Sequence, residues 1–253
     1  MMQLSIAHRS ERGGREANED AVGFCANKMQ GCFVLADGTG GYEGGALASD
    51  TVVRRVLEHY HAAPRADGDL PGTLMRVARE ALYNVRELNP QFPEMNTTIA
   101  TLVLDTERGI AYWNNLGDSR IYLFRDTCAQ SLTTDHSVLQ NMIDAGLYTG
   151  TLRGNCQRNV LYAAVACDDV PEHAVQSEPF SLHPGDIFLL CSDGFWENLD
   201  EVVMEEKLRQ VKTPQQWIDD MMDEVSTLYT PDQDNFSVLT VWVEEHEAGS
   251  DLG

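Results

Sequence analysis

The sequence predicts an α+β fold in which sheets built mainly of antiparallel hairpins are covered by helices on the outside. Three observations carry that expectation. Apolar runs of about six to nine residues, many rich in β-branched or aromatic side chains, recur along the chain and read as strands. Amphipathic helices fall in successive pairs between groups of strands, so the βαβα alternation of a parallel doubly wound sheet is absent. The length of 253 residues suits one large domain with an ample core.

The elements follow in order. QLSIAH, AVGFCA and GCFVLAD read as opening strands, with NKMQ a hairpin loop between the second and third. Residues 46 to 60 align Val52, Val53, Val56, Leu57 and Tyr60 on one helical face. After a surface linker, PRADGDLPG, residues 71 to 89 do the same with Leu74, Val77, Ala78, Ala81, Leu82, Val85 and Leu88. TTIATLVLD, IAYWNNL and RIYLFR are the next strands, with TERG as a hairpin loop. A mixed insert precedes the strand DIFLLCSD. Two helices follow, the second over residues 214 to 229 with Pro214 at its start, and FSVLTVWVE is the last strand. Trp113, Trp196, Trp217 and Trp242 lie in strands or helical stripes and are expected in the core.

Composition narrows the function classes. Hydrophobic residues make up 43% and charged residues 23%, ordinary values for a globular protein, so disorder and coiled coil are excluded. Lys and Arg number 18 against 40 Asp and Glu, a net charge of −22, which repels a phosphate backbone and argues against nucleic-acid binding. No run approaches the ~18 apolar residues of a membrane span, and the N-terminus lacks the pattern of a signal peptide, so no membrane association and a cytoplasmic location are expected. The six cysteines include no C-x-x-C pair and no zinc-finger spacing; those in or beside apolar runs read as small reduced core residues. Residues 246 to 253 form an acidic tail.

The informative feature is the placing of aspartates. Asp37 ends GCFVLA and precedes Gly38; Asp193 ends DIFLLCS and precedes Gly194; Asp234 leads into the last strand; Asp118 sits in NLGDSR between two strands. A single Asp-Gly after a strand is usually a turn, in which Asp caps and Gly takes positive φ. Four such sites, with Glu19-Asp20 at the start of another strand, are too many for that reading alone. Converging carboxylates repel unless protons or cations neutralise them. An all-oxygen set without His or Cys suits hard octahedral ions, Mn²⁺ or Mg²⁺.

Together these residues resemble a family. The pattern R-x-x-x-E-D (Arg15, Glu19, Asp20), apolar-D-G-x-G-G (from Asp37), G-D-S-R (Asp118), S-D-G-apolar-W (Asp193) and D-N before a final strand (Asp234) is similar to the metal-dependent type 2C protein serine/threonine phosphatases, in their stand-alone bacterial form. The resemblance implies an α-β-β-α sandwich of two mainly antiparallel sheets flanked by helix pairs. It implies one phosphatase domain over residues 1 to 245, with a flap at about 138 to 169 in which Arg158-Asn159 matches an R-N element.

It also implies roles. Asp37 would bridge two core Mn²⁺ or Mg²⁺ ions and the Gly38 carbonyl would bind one of them. Asp193 and Asp234 would hold the other, and Glu19 and Asp20 would act through metal-bound waters. Asp118 would serve a third, weaker ion beside Asp193. Arg15 would grip the substrate phosphate, and the reaction would be in-line attack on phosphoserine or phosphothreonine by a hydroxide bridged by the two ions. The implied partners are phosphorylated proteins and a Ser/Thr kinase acting on the same targets, with the enzyme a monomer. Thr39 stands where many eukaryotic members carry a His, so protonation of the leaving group by a histidine is not supported. In TTDHS, His136 belongs to a segment expected to cap a helix.

Two other readings are weaker. VLADGTGG echoes the D-x-D-G-T of haloacid dehalogenase-type phosphatases, but the nucleophilic aspartate would have to occupy position 35, which is Leu35. A catalytically dead binding module on the same fold would have lost a core ligand, and none is lost.

Overall fold

The computed structural model describes residues 2–39, 42–64, 66–149, 160–167, 171–228 and 230–245. Among them lie two antiparallel sheets. One has the order β1 (Met2–Glu11), β11 (Phe236–Glu245), β10 (Ile187–Cys191), β7 (Arg120–Arg125), β8 (Cys128–Ser131). The other has the order β2 (Asp20–Ala26), β3 (Gln30–Thr39), β5 (Ile99–Asp105), β6 (Ile110–Leu116), β9 (Val175–Ser181), with the short β4 (Asn96–Thr97) also paired to β3. Helices α1 (Tyr42–Ala62) and α2 (Leu70–Leu88) cover the second sheet. Helices α5 (Glu201–Leu208) and α6 (Pro214–Thr227) cover the first. The expected four-layer sandwich is present.

Alternation along the strands explains the layers. In β3 Cys32, Val34 and Ala36 face α1 and α2, while Phe33 and Leu35 point to the opposite sheet. With both faces buried, the strand reads as a continuous apolar run, as GCFVLA does. The inter-sheet core joins Phe33, Leu35, Leu102, Leu123, Phe188 and Leu239. Trp196 and Trp217 are fully buried with α5 and α6, and Trp113 lies in the inter-sheet core.

Both hairpin loops occur where expected, between β2 and β3 and between β5 and β6. Helix α6 begins at Pro214, capped by Thr213, whose hydroxyl accepts from the Gln216 amide at 3.3 Å. Three details depart from the sequence reading. Leu88, the last residue of α2, closes its apolar stripe yet is 81% exposed. Strands β8 and β9 carry no apolar run: each lies at an edge of its sheet, where one side needs no cover, and β9 tolerates Pro179 there. Of the cysteines, Cys32 and Cys191 are buried, Cys25 and Cys167 half-buried and Cys128 exposed; Cys156 lies outside the described residues. Gly40, Gly41, Arg158, Asn159, Asp169 and the tail 246–253 also lie outside them.

Candidate metal centre

The carboxylates singled out in the sequence arrive at one end of the sandwich from separate elements. Asp20 opens β2 and stands directly opposite Asp37 on β3. Asp193 begins a single helical turn, α4 (Asp193–Trp196), straight after β10, and Asp234 precedes β11. Asp118 occupies the β6–β7 connection and is buried. The simple Asp-Gly turn does not describe the first two sites. Asp37 lies within a strand and Asp193 within a helix, and neither Gly38 nor Gly194 has positive φ.

Those glycines are there for closeness. A Cβ on Gly38 would come within 2.2 Å of the Gly45 carbonyl oxygen, and one on Gly194 within 2.1 Å of the Asn235 carbonyl oxygen. Only bare backbone lets β3 meet α1, and α4 meet the start of β11, at the separation that gathers the acids.

Polar contacts fix the gathering. The Asp37 amide donates to Thr98 Oγ1 at 3.0 Å, and Thr98 Oγ1 meets Ser119 Oγ at 2.7 Å, tying the strand of Asp37 to the turn of Asp118. Ser192 Oγ donates to Asp20 Oδ2 at 2.7 Å. Asn235 binds the N-terminal loop to the same end. Its side-chain oxygen accepts from the Glu19 amide at 2.8 Å, and its Nδ2 donates to the carbonyls of Arg12 and Ala17 at 2.7 and 2.9 Å. That loop carries Arg15, whose Nη2 donates to Asp234 Oδ2 at 2.8 Å.

The electrostatics are those of crowded acids. Burial, then Asp20, Asp193, Asp118 and Asp234, push the Asp37 carboxyl well above the usual carboxylate range. Burial also raises Asp20 to about 7, against hydrogen bonds from Ser237 and Ser192 and with Asp193 and Asp234 adding to the rise. Asp118 is raised well above its ordinary value by burial and by Asp193 and Asp135. Glu19 is raised by burial and Asp234, with Arg15 opposing. Among the described residues no three Asp, Glu, His or Cys side chains already stand as a closed ligand set.

The residues nonetheless fit hard divalent cations. Every candidate donor is oxygen, and Asp20 Oδ1 is buried without a hydrogen-bond partner, which is costly unless something else takes its lone pairs. Among the described residues Arg15 brings a cation to the group, through its contact with Asp234.

Sequence reasoning missed the supporting polar residues. Thr98, Ser119, Ser192 and Asn235 lie within or beside apolar or turn segments, and only their neighbours in the motifs marked them. The TTDHS segment caps a helix as expected: Ser137 stands before α3 (Val138–Asp144) and its hydroxyl accepts from the Gln140 amide at 3.1 Å. His136 is buried, stacks on His173 at 4.9 Å and donates its backbone amide to the Gly117 carbonyl at 2.9 Å, bracing the turn before Asp118.

Comparison with known proteins agrees with this geometry. Residues 8–245 match the family model of protein phosphatase 2C. The chain is 28% identical over 253 residues to the serine/threonine phosphatase stp of Listeria monocytogenes, covering 96% of this chain and 97% of that one. The structure superposes on the crystal structure of the Mycobacterium tuberculosis serine/threonine phosphatase PstP/Ppp with a TM-score of 0.81 at 28% identity, over 96% of this chain and 100% of the other. It superposes on the catalytic domain of the serine/threonine protein phosphatase PstP, solved with two manganese ions, with a TM-score of 0.80 at 26% identity, over 97% and 100%. With nearly its whole length accounted for by one family model, the chain belongs to the protein phosphatase 2C family, the metal-dependent serine/threonine protein phosphatases.

Proposed function

We propose that the acids at this end of the sandwich hold two divalent cations, Mn²⁺ or Mg²⁺, and that the site hydrolyses phosphoserine and phosphothreonine on proteins. Asp37 and the Gly38 carbonyl would hold one ion and Asp37, Asp193 and Asp234 the other, Glu19 and Asp20 would act through water, and Asp118 with Asp193 would serve a weaker third ion. Bound cations at such a site lower the pKa of a shared water towards neutrality and neutralise charge on the phosphoryl group.

The chain's own residues do the rest. Arg15 exchanges Asp234 for the substrate phosphate, whose oxygens match the planar fork of a guanidinium. Its half-exposed position and single contact with Asp234 make that exchange inexpensive. Thr98, Ser119 and Ser192 keep Asp37, Asp118 and Asp20 in place while charge changes around them.

The observation that carries this reading is the arrival of Asp20, Asp37, Asp118, Asp193 and Asp234 from separate elements at one end of the sandwich, where the buried Asp20 Oδ1 has no hydrogen-bond partner and burial together with neighbouring acids, Asp193 among them in each case, raises Asp20, Asp37 and Asp118. We further propose one domain over residues 1 to 245, an acidic tail beyond it, and a flap at 138 to 169 that touches protein substrates. A cytoplasmic monomer acting on the targets of a Ser/Thr kinase completes the reading. The free thiols of Cys25, Cys32, Cys128, Cys167 and Cys191 support a reducing compartment, and no helix among the described residues is long and apolar enough to cross a membrane. Chelation should abolish hydrolysis of a phosphothreonine peptide and Mn²⁺ restore it. Asp37→Asn, Asp193→Asn and Asp234→Asn should each remove most activity with the fold intact by circular dichroism. Full turnover in excess EDTA is the result that rules the two-cation site out.

A further inference from the structure

The loop that carries Arg15 joins β1 to β2 and is held through its backbone. It lies on the segment 230 to 235 that leads into β11, where the Gly14 amide donates to the Gln233 carbonyl at 2.9 Å. A Cβ on Gly14 would stand 2.3 Å from the Pro231 carbonyl oxygen, and one on Gly13 would stand 2.2 Å from that of Asp234. Gly13 also has a φ of +61°. A side chain at either position would lift the loop from the segment beneath it.

Asn235 closes the loop from the other side. It is buried, and its side chain accepts from the Glu19 amide at 2.8 Å while donating to the carbonyls of Arg12 and Ala17 at 2.7 and 2.9 Å. One planar amide thus holds both ends of a stretch that has Arg15 in its middle. An aspartate of the same shape has no donor for the two carbonyls, and an alanine has nothing for any of the three groups. The receiving segment is itself anchored: the buried Gln233 donates its amide to the Thr230 carbonyl at 3.0 Å and its Nε2 to the Val225 carbonyl of α6 at 3.3 Å. The base of Arg15 is therefore fixed to the fold, while its side chain, 51% exposed, reaches Asp234 through a bond of 2.8 Å.

We infer that Asn235, with Gly13 and Gly14 under the loop, is a positioning residue for the phosphate grip of Arg15. The inference rests on the phosphatase reading and adds to it the group that aims the guanidinium. A long side chain swings over a wide arc, so it meets a phosphate productively only from a fixed base, and a misplacement of about 1 Å can cost about a hundredfold in rate. Asn235 holds the Glu19 amide as well, and action through Glu19 instead would show in metal affinity, because Glu19 belongs with the cations.

The test compares Asn235→Ala and Gly14→Ala with Arg15→Ala, each as the full chain with Mn²⁺ and a phosphothreonine peptide. Gly14→Ala displaces the loop without removing the Asn235 amide or any charge, so the comparison stands even if Asn235→Ala does not fold. Each of the two should lower kcat/KM about tenfold. Introduced into Arg15→Ala, each should add a loss of less than about twofold, because the residue it aims is gone. Calorimetric titration should give Mn²⁺ affinities within about threefold of wild type, well short of what loss of a group supporting a metal ligand costs. Undiminished losses in the Arg15→Ala background, or a Mn²⁺ affinity that falls in proportion to activity, overturn the role. Inorganic phosphate separates this outcome from that of the reaction itself. With Mn²⁺ present, Gly14→Ala should bind phosphate about tenfold more weakly than wild type, as Arg15→Ala should. Phosphate bound equally by Gly14→Ala and wild type overturns the positioning role even if the peptide is hydrolysed, whereas a wild type that hydrolyses nothing but shows the phosphate difference keeps the role and fails the phosphatase reading.

Discussion

Two arginine–aspartate pairs flank the acid cluster, and they are opposites. Arg120 and Asp135 meet through two hydrogen bonds of 2.8 and 2.7 Å, with side chains only 11% and 4% exposed. Arg120 also lies 3.4 Å over the ring of Trp196 and donates to the Tyr122 hydroxyl at 2.8 Å. Arg15 and Asp234 meet through one bond of 2.8 Å, with side chains 51% and 39% exposed. The first pair is dry, bidentate and embraced by aromatic rings, so it acts as a brace behind Asp118, whose carbonyl accepts from Trp196 Nε1 at 3.0 Å. The second is wet and singly bonded, so it can open. The same residue types thus make a fixed support or an exchangeable contact according to solvent and geometry.

Breaking the brace should produce the larger effect. Arg120→Ala leaves Asp135 charged and buried, and stability should fall by about 3–5 kcal/mol, read as a shift in the urea midpoint at unchanged slope. Arg120→Met combined with Asp135→Leu should recover most of that loss, since removing both charges leaves none orphaned. A cost below about 1 kcal/mol for Arg120→Ala would place this pair with the exposed ones.

The exchangeable pair should behave the other way. Arg15→Ala should change stability by less than about 1 kcal/mol yet lower kcat/KM by about 2–4 kcal/mol in barrier terms, with Arg15→Lys recovering only part. Isothermal titration with Mn²⁺ should show the metals still bound. Wild-type kcat/KM in Arg15→Ala would return Arg15 to an ordinary surface residue.

The contrast also explains what was legible in the sequence. Arg15 and the acids were visible because their chemistry comes as fixed spacings, R-x-x-x-E-D and D-G, that few structural needs produce together. The layers were visible because β3 and β11 are buried on both faces and read as unbroken apolar runs. Arg120–Asp135 was not, since the pair is made by a turn that brings positions 15 residues apart together, and nothing in either segment marks the partner. Strands β8 and β9 escaped because edges need no apolar period.

A smaller effect belongs to Asp118, which leans on the brace and faces the acids. Asp118→Asn keeps most turn hydrogen bonds but no charge for a cation. Thermal stability should hold and two tight metals remain, while turnover falls about tenfold, or ~1.4 kcal/mol. Wild-type turnover with unchanged metal sites would leave Asp118 a turn residue.

The smallest expected effect is on stability without metal, and its sign follows from which state holds the proton. Asp20, at about 7 in the fold against an ordinary carboxylate value when unfolded, binds more protons folded than unfolded from about pH 4 upwards, and Asp37 acts in the same sense. Stability is therefore lost as pH rises through the folded value. His136 opposes this at lower pH: burial holds its imidazole down to about 4, so its contribution to stability grows as pH rises and is complete above the ordinary histidine value. The clean window is then pH 6.5 to 8, where His136 no longer changes. In EDTA the melting temperature should fall across that window, on the order of a few degrees, and the fall should be shallower in Asp20→Asn. With Mn²⁺ the slope should vanish or reverse, because a cation replaces the proton as the neutralising charge and binds better as protons leave. A melting temperature in EDTA that climbs from pH 6.5 to 8 would mean that the acids do not burden one another as their positions imply.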